Sequence, residues 1–166
     1  MMENDFWYVV YTLPRWEKKV AQNLTDEGIE NYCPTTRVEK QWSDRKKIVN
    51  EPLFKGYVFI RINEKAKWDI KNSIHGIINY VYWLGKPAKV KQSEIDTIKM
   101  FLKEFENIEV SQLIEPNKKV SVKNGVLMDY HGLVLQVVGN KVKVLINSMG
   151  IILTAVFAKK DLQLLN

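Results

Sequence analysis

The segment that most constrains the fold is residues 51–59, which read EPLFKGYVF. Pro52 has no backbone N–H and cannot donate to a β-ladder, so it predicts the beginning of a strand rather than its middle. Gly56 permits backbone conformations that other residues resist. Because side chains alternate along a strand, Tyr57 and Phe59 are expected on one face, with β-branched residues on the other. The segment therefore predicts a turn followed by a strand with one aromatic face.

Strand and helix patterns alternate around this signature segment. The aromatic and β-branched run WYVVYT at residues 7–12 predicts a central strand. Pro14 predicts the start of a first helix and Gly28 its cap. The apolar residues of that helix recur at helical spacing and are Trp16, Val20 and Leu24. Residues 29–38 then predict an extended segment, and the polar, basic residues 40–50 predict the tip of a hairpin.

A second helix and a further strand follow the signature strand, which is expected over residues 54–62. Residues 65–74 predict a short helix with Trp68 as its apolar anchor. Residues 77–83 predict a strand that a Gly-Lys-Pro turn ends. A capping box at Ser93 predicts the start of a third helix. The apolar face of that helix is expected to comprise Ile95, Ile98, Leu102 and Phe105.

The order of these elements predicts an α+β fold in two domains. Residues 1–104 are expected to form a sandwich of helices on an antiparallel sheet, and the acidic residues 105–116 a linker. Residues 117–166 change to a β pattern, in which short apolar runs alternate with turn signals such as Asn124-Gly125. The strands expected there span residues 119–123, 132–138, 142–146, 151–157 and 161–165. They predict a small closed β-barrel, because closure removes exposed edges.

Composition excludes several classes of protein. The single cysteine, Cys33, rules out an intramolecular disulfide and fits a reducing cytoplasm. No apolar run approaches the roughly 18 residues of a membrane span, so we expect a cytoplasmic protein without a membrane partner. The two histidines, His75 and His131, fall in different domains and do not supply a metal site or a Cys–His nucleophile. We therefore expect no catalysis, cofactor or metal, whereas the net charge of +6 suggests a nucleic-acid neighbour.

Two motifs resemble those of a known family. EPLFKGYVF resembles the PLFPGYVFV signature of the NusG family of transcription elongation factors. VSVKNG at residues 120–125, with His131 and Gly132 after it, resembles the KOW motif of NusG-type C-terminal domains. The two motifs also lie in the family's order along the chain. The resemblance implies an N-terminal domain that binds bacterial RNA polymerase, a C-terminal KOW barrel, and a role in transcription elongation or antitermination.

The resemblance also implies where each partner would bind. The N-terminal domain would dock on the clamp helices of the largest polymerase subunit. The positions that match this contact are Tyr8, Tyr11, Phe54, Tyr57 and Phe59. The alternative to a polymerase contact is burial in the hydrophobic core. We favour the core for Phe59 and the polymerase contact for Phe54 and Tyr57. On the barrel, Met149 and Ile151 match a loop that binds a small-subunit ribosomal protein or a termination factor, although an ordinary turn with a buried methionine fits equally well.

Basic residues form a second class of candidate contacts. In specialised relatives the two helices touch the non-template DNA strand, and the second helix also touches the facing lobe of the second-largest polymerase subunit. The hairpin tip is a third basic patch. The residues in these three places are Arg15, Lys18, Lys19, Arg45, Lys46, Lys47, Lys65, Lys67, Lys71, Asn72, Ser73 and His75. Lysines can grip phosphates, and Trp68 or His75 could stack a base, but a solvated amphipathic helix with Trp68 pointing inward fits equally well.

Lys55 departs from the family pattern, which has proline at that place. This favours a specialised antitermination paralogue, of the type that acts on capsule and surface-polysaccharide operons, over the general housekeeping factor. The general factor remains one alternative. The others are a KOW-containing RNA- or ribosome-binding protein with an unrelated first domain, and an interaction module that binds no nucleic acid.

Overall fold

The structure, a computed structural model, describes residues 4–105, 107–112, 126–130, 133–138 and 140–156. Its strands are β1 (Asp5–Thr12), β2 (Asn31–Tyr32), β3 (Thr35–Gln41), β4 (Lys46–Pro52), β5 (Tyr57–Asn63), β6 (Ile77–Tyr80), β7 (Tyr82–Trp83), β8 (Lys86–Pro87), β9 (Lys89–Val90), β10 (Glu109–Gln112), β11 (Val126–Tyr130), β12 (Leu133–Val138), β13 (Lys141–Ile146) and β14 (Ile151–Val156). Its helices are α1 (Glu17–Asp26), α2 (Lys67–Ser73) and α3 (Gln92–Glu104), with 3-10 turns at Glu64–Ala66 and Asn147–Met149. None of the described helices is long and apolar enough to cross a membrane. The combination of helices with antiparallel sheets confirms the predicted mixed α and β architecture.

The N-terminal sheet places the signature strand beside the first strand of the chain. Its order is β2-β5-β1-β6, and β9 also pairs with β1, so β1 is central as predicted. In the antiparallel register of β1 and β5, Tyr11 lies opposite Tyr57 and Val9 lies opposite Phe59. The register therefore brings aromatic residues from two distant parts of the sequence side by side.

The two faces of this sheet pack against different helices. Tyr8, Val10 and Ile60 lie in a cluster with apolar residues of α1 and α2. Val9 and Phe59 lie in a second cluster, on the opposite side, with apolar residues of α3. We call these sides the α1 face and the α3 face. The alternation predicted for the signature strand is therefore confirmed.

Helix α1 begins later than predicted. It starts at Glu17, because Arg15 adopts a φ of +65° that is incompatible with a right-handed helix. Val20 and Leu24 are fully buried, as the helical spacing predicts. Gly28, with a φ of +74°, follows the end of the helix, where its N–H donates to the carbonyl oxygen of Thr25 at 3.0 Å.

The predicted hairpin tip is wrong in extent, because most of it is a two-stranded ribbon. β3 and β4 pair along their full length, which leaves only residues 42–45 for the tip. Pro52 ends β4 instead of beginning a strand. Most side chains of the ribbon are exposed, so it does not need the apolar alternation that identifies a half-buried strand.

The anchor predicted for α2 is also wrong. Trp68 is 48% exposed, whereas Ile70 and Ile74 pack into the cluster on the α1 face. Residues two apart on a helix point to nearly opposite sides, so Trp68 and Ile70 cannot both face the sheet. The strand predicted over residues 77–83 is divided into β6 and β7.

Helix α3 keeps most of its predicted apolar face, but the capping box predicted at Ser93 is wrong, because the helix begins at Gln92 with Lys91 as its N-cap. Glu94 caps its start, since the N–H of Lys91 donates to Glu94 Oε2 at 2.9 Å. Ile95 and Ile98 are fully buried as predicted, and Phe101 is buried although the prediction omitted it. Leu102 and Phe105 pack against the same cluster and are half-buried.

The C-terminal strands form a second antiparallel sheet, with the order β10-β14-β13-β12-β11. We call it the C-terminal sheet. β10 lies within the predicted linker, and β11 lies in a stretch for which no strand was predicted. The expected strands over residues 119–123 and 161–165, and the KOW-like residues 120–125, His131 and Gly132, fall outside the described residues. Closure into a barrel stays a prediction.

One hydrophobic core joins the α3 face to the C-terminal sheet. Buried residues of β13, β14 and the turn between them belong to the same cluster as Trp7, Val9, Phe59 and the apolar face of α3. The members from the C-terminal sheet are Val142, Val144, Ile146, Met149, Ile151, Leu153 and Ala155. In this arrangement the two parts of the chain share their apolar surface instead of exposing it.

Candidate docking surface

Four of the five aromatic residues predicted to contact a partner lie together on the α3 face. The Tyr11 and Tyr57 rings meet edge to face at 5.0 Å between centroids, and their hydroxyl oxygens are 3.2 Å apart. Phe54 and Phe59 meet in the same manner at 5.6 Å. We call Tyr11, Phe54, Tyr57 and Phe59 the signature surface.

Burial divides the signature surface into a base and a rim. Phe59 is fully buried and Phe54 is 4% exposed, so both contribute to the core. Tyr57 is half-buried and Tyr11 is 39% exposed. A tyrosine pair of this kind offers a large apolar area with a polar tip, which suits a protein interface. The placement of Phe59 agrees with the core interpretation favoured for it.

The C-terminal sheet covers part of the signature surface. An open cavity beside the surface is lined by Tyr11, Phe54 and Tyr57 on one side and by Val110 and Ile151 of the C-terminal sheet on the other. Phe54 and Ile151 are buried in the same cluster. A partner that needs Phe54 would therefore have to displace the C-terminal sheet.

Tyr8 does not lie with the other four aromatic residues. It points to the α1 face, is fully buried, and meets the ring of Tyr80 edge to face at 5.8 Å. Its hydroxyl has no hydrogen-bond partner among the described residues. Burial, with a smaller contribution from the negative charge of Glu64, raises the pKa of Tyr8 to about 12. Residues 8 and 11 differ by an odd number along β1, which puts them on opposite faces.

We expect Tyr8→Phe to raise the free energy of unfolding by about 1 kcal/mol, because it removes a buried hydroxyl that makes no hydrogen bond. Tyr80→Phe is the matched control. The Tyr80 hydroxyl donates to the carbonyl oxygen of Lys67, so its loss should destabilise the chain. Urea denaturation of both variants measures the two effects, and a Tyr8→Phe variant less stable than the parent would contradict the expectation.

The barrel residues predicted to meet a partner are buried inside the molecule. Met149 is 6% and Ile151 2% exposed, and both belong to the shared core. Between them, Gly150 has a φ of +61° and lies so close to Trp83 that an added Cβ would be 2.3 Å from the indole ring. The N–H of Ser148 donates to Glu94 Oε1 at 3.1 Å. This loop is therefore occupied by an internal contact in the described arrangement.

The basic residues of the two helices converge around two tryptophans. Lys67 Nζ and Lys71 Nζ lie 5.6 Å and 5.4 Å from the centroid of the exposed Trp68 ring. Lys19 Nζ lies 4.2 Å from the Trp16 ring, which also meets His75 edge to face at 5.1 Å. The contact between Trp16 and His75 was not predicted, because α1 and the segment after α2 are far apart in the chain.

The other predicted basic residues take separate positions. Arg15, Lys65, Asn72 and Ser73 are exposed near the same two helices. Arg45, Lys46 and Lys47 are exposed at the far end of the ribbon, where Lys47 Nζ lies 4.5 Å from the Trp42 ring. Lys18 contacts the base of the ribbon, since its Nζ donates to the carbonyl oxygen of Asn50 at 2.7 Å. The hairpin tip is therefore a patch of its own.

A basic cleft adjoins the turn between β4 and β5, residues 53–56, which we call the signature turn. The residues that line it include Arg15, Lys18, Lys40 and Lys55 together with the carboxylates of Glu17 and Glu51. Lys40 forms an ion pair with Glu51, and this hydrogen-bonded contact lowers the pKa of that carboxyl. Within the described ranges, no group of three or more His, Cys, Asp or Glu residues could hold a metal ion.

Comparisons with known proteins point to one family. The family model described as transcription termination factor nusG matches residues 5–99. The transcription termination/antitermination protein NusG of Halalkalibacterium halodurans is 26% identical over 161 residues, which cover 87% of this chain and 89% of that protein. The protein of the same name from Escherichia coli (strain K12) is 25% identical over 143 residues, 79% of each chain. A solved structure, "Domain interaction in Thermotoga maritima NusG", has 20% identity and a TM-score of 0.47, with 95% of each chain covered.

Proposed function

This chain belongs to the NusG family of transcription termination/antitermination factors, and we propose that it regulates elongation by docking on bacterial RNA polymerase through the signature surface. The observation that carries the proposal is the convergence of Tyr11, Phe54, Tyr57 and Phe59 on one face, within the residues that match the family. The expected partner is the pair of clamp helices of the largest polymerase subunit. Apolar helices suit a surface with a buried aromatic base and a tyrosine rim.

The position of the C-terminal sheet adds a condition to this docking. Phe54 is available to a partner only after the shared core has opened. Opening would also expose Met149 and Ile151, which we propose then bind a second partner, a small-subunit ribosomal protein or a termination factor. A single movement would thus uncover both binding surfaces.

The proposed effect on transcription is mechanical. By contacting the clamp helices with the signature surface and the facing lobe of the second-largest subunit with α2, the factor would favour the closed, elongating polymerase. A ligand shifts an equilibrium only by its differential affinity for the two states. A preference of about 1.4 kcal/mol would change pausing or termination about tenfold.

The half-buried lysines around the exposed Trp68 ring support a contact with the non-template DNA strand. Unpaired bases stack on aromatic rings, and lysines neutralise the adjacent phosphates. Lys67 and Lys71 flank the ring, and Trp68 is 48% exposed. A displaced single strand therefore fits this patch better than a duplex, in which the faces of the bases are stacked.

Replacing both Lys67 and Lys71 with alanine is expected to weaken factor-dependent readthrough while polymerase affinity changes less than about threefold. The dependence of DNA crosslinking on salt concentration should become weaker, by the amount expected for the loss of up to about two phosphate contacts. In vitro transcription through a terminator measures the readthrough, and a binding titration measures the polymerase affinity. Lys86→Ala with Lys103→Ala, which removes equal charge from exposed positions elsewhere, is the control. Equal losses of readthrough and binding, or no loss of either, would remove these lysines from a DNA role.

We further propose that the factor is operon-specific. Lys55 is exposed at the signature turn and gives that turn a positive charge. Transcript profiling after deletion of the gene tests the proposal, since a specialised factor should alter the distal genes of one or a few operons. Changes spread across most long transcripts would favour the general factor instead.

A further inference from the structure

Glu17 is a buried carboxylate in the first turn of α1, with 6% of its surface exposed. Glutamate is rarely buried to this extent unless it is paired or hydrogen-bonded. Its Oε1 accepts a hydrogen bond from the backbone N–H of Gly56 at 2.9 Å. This side chain therefore reaches from the helix to the turn of the signature segment, although it is absent from the signature surface itself.

Backbone hydrogen bonds also hold the turn that donates this hydrogen bond to Glu17. The carbonyl oxygen of Gly56 accepts from the N–H of Thr12 at 2.9 Å, and the N–H of Tyr57 donates to the carbonyl oxygen of Phe54 at 3.1 Å. Gly56 has a φ of +81°. Lys55, unlike a proline, leaves φ at its own position unrestricted. The hydrogen bond from the Gly56 N–H to Glu17 is therefore one of the constraints that fix how Phe54 and Tyr57 stand relative to each other.

We propose that Glu17 is a positioning residue for polymerase docking, which holds the signature turn so that Phe54 and Tyr57 are presented in one arrangement. This inference rests on the proposed docking function. A surface fixed before binding loses less conformational entropy when its partner arrives, so the carboxylate raises affinity without touching the partner. The role needs a hydrogen-bond acceptor rather than a charge, so glutamine should replace it and alanine should not.

Cys33 provides an independent report on the Glu17 charge. Burial, and after it the negative charge of Glu17, raise the pKa of Cys33 to about 11, while Lys18 opposes them. Removing the carboxylate should lower that pKa in both Glu17→Gln and Glu17→Ala. The pH dependence of thiol alkylation thus confirms that the negative charge is lost in both variants. The affinity for polymerase, in contrast, should differ between Glu17→Gln and Glu17→Ala.

The test uses the full chain as wild type, Glu17→Gln, Glu17→Ala and Val20→Ala. Val20 is buried in the same helix without contacting the turn through a hydrogen bond, so its variant controls for general loss of stability. The readouts are the amide resonance of Gly56 in the free protein, thermal unfolding, and the Kd for purified bacterial RNA polymerase. Glu27→Ala removes an exposed carboxylate beside the other end of α1 and controls for charge.

We expect Glu17→Ala to move the Gly56 amide resonance and to weaken binding about tenfold, while Glu17→Gln stays within about threefold of wild type. Val20→Ala and Glu27→Ala should bind as wild type does at a temperature where all variants are folded. Glu17→Gln as weak as Glu17→Ala, or Val20→Ala equally weak, would overturn the positioning role and leave docking intact. A wild-type chain that does not bind polymerase would overturn the docking proposal, and this inference with it.

Discussion

Phe54→Ala combined with Tyr57→Ala is expected to weaken binding of the full chain to bacterial RNA polymerase about a hundredfold or more. Central aromatic side chains of an interface commonly contribute about 2 kcal/mol or more each when truncated. Phe54 lies at the buried base of the signature surface and Tyr57 at its half-buried rim. The two changes therefore remove an apolar side chain at the base of the surface and a tyrosine hydroxyl at its rim. A binding titration with purified polymerase measures the effect.

A loss of folding stability has to be distinguished from a loss of polymerase affinity in this experiment. Phe54 is 4% exposed, so its truncation alone should cost about 3–5 kcal/mol of folding free energy. Thermal unfolding shows whether the double variant is folded at the assay temperature, and Tyr57→Ala alone supplies a milder version. Tyr82→Ala, at a tyrosine that is 47% exposed on β7, is the matched control. A folded double variant with wild-type affinity would place the docking surface elsewhere.

Gly150→Ala is expected to have the opposite effect and to raise polymerase affinity about tenfold. An added Cβ would lie 2.3 to 2.8 Å from three carbon atoms of the Trp83 ring, so either the indole or the loop that carries residue 150 has to move. The substitution should therefore separate the C-terminal sheet from the α3 face and uncover Phe54. When only a fraction of molecules is competent to bind, the apparent Kd improves in proportion as that fraction rises. Small-angle scattering should show a larger radius of gyration alongside the tighter binding.

Gly85→Ala is the control for backbone strain in that experiment. Gly85 has a φ of +79°, similar to that of Gly150, but no atom lies within 4 Å of its added Cβ. The two variants share the conformational cost of a side chain in the left-handed region, and only Gly150→Ala adds the collision. Equal affinities for the two variants would contradict a closed state held by the Trp83 contact.

Local patterns were sufficient to predict much of the fold. The signature strand and the central strand β1 follow from their runs of aromatic and β-branched residues, and the apolar face of α3 follows from helical spacing. The alternation of side chains along a strand predicts that Tyr57 and Phe59 share a face. Their pairing with Tyr11 required the register between two strands 46 positions apart, which no local pattern specifies.

The parts that the sequence did not predict depend on long-range packing. Met149 is buried because the C-terminal sheet packs on the α3 face, and a turn pattern carries no information about what covers the turn. Tyr8 was grouped with Tyr11 by resemblance, although strand alternation separates them. The apolarity of Trp68 fits both an anchor in the core and an exposed base-stacking ring, and the structure puts Ile70 in the core instead.

Photocrosslinking from position 11 tests the central claim most directly. Tyr11 is 39% exposed at the rim of the signature surface, so a photoreactive phenylalanine analogue there should tolerate the fold and lie within reach of the partner. Incubation of the full chain with bacterial RNA polymerase should give a crosslink to the largest subunit, and Gly150→Ala should strengthen it. A bound complex that crosslinks from position 82 and not from position 11 would contradict docking through this surface.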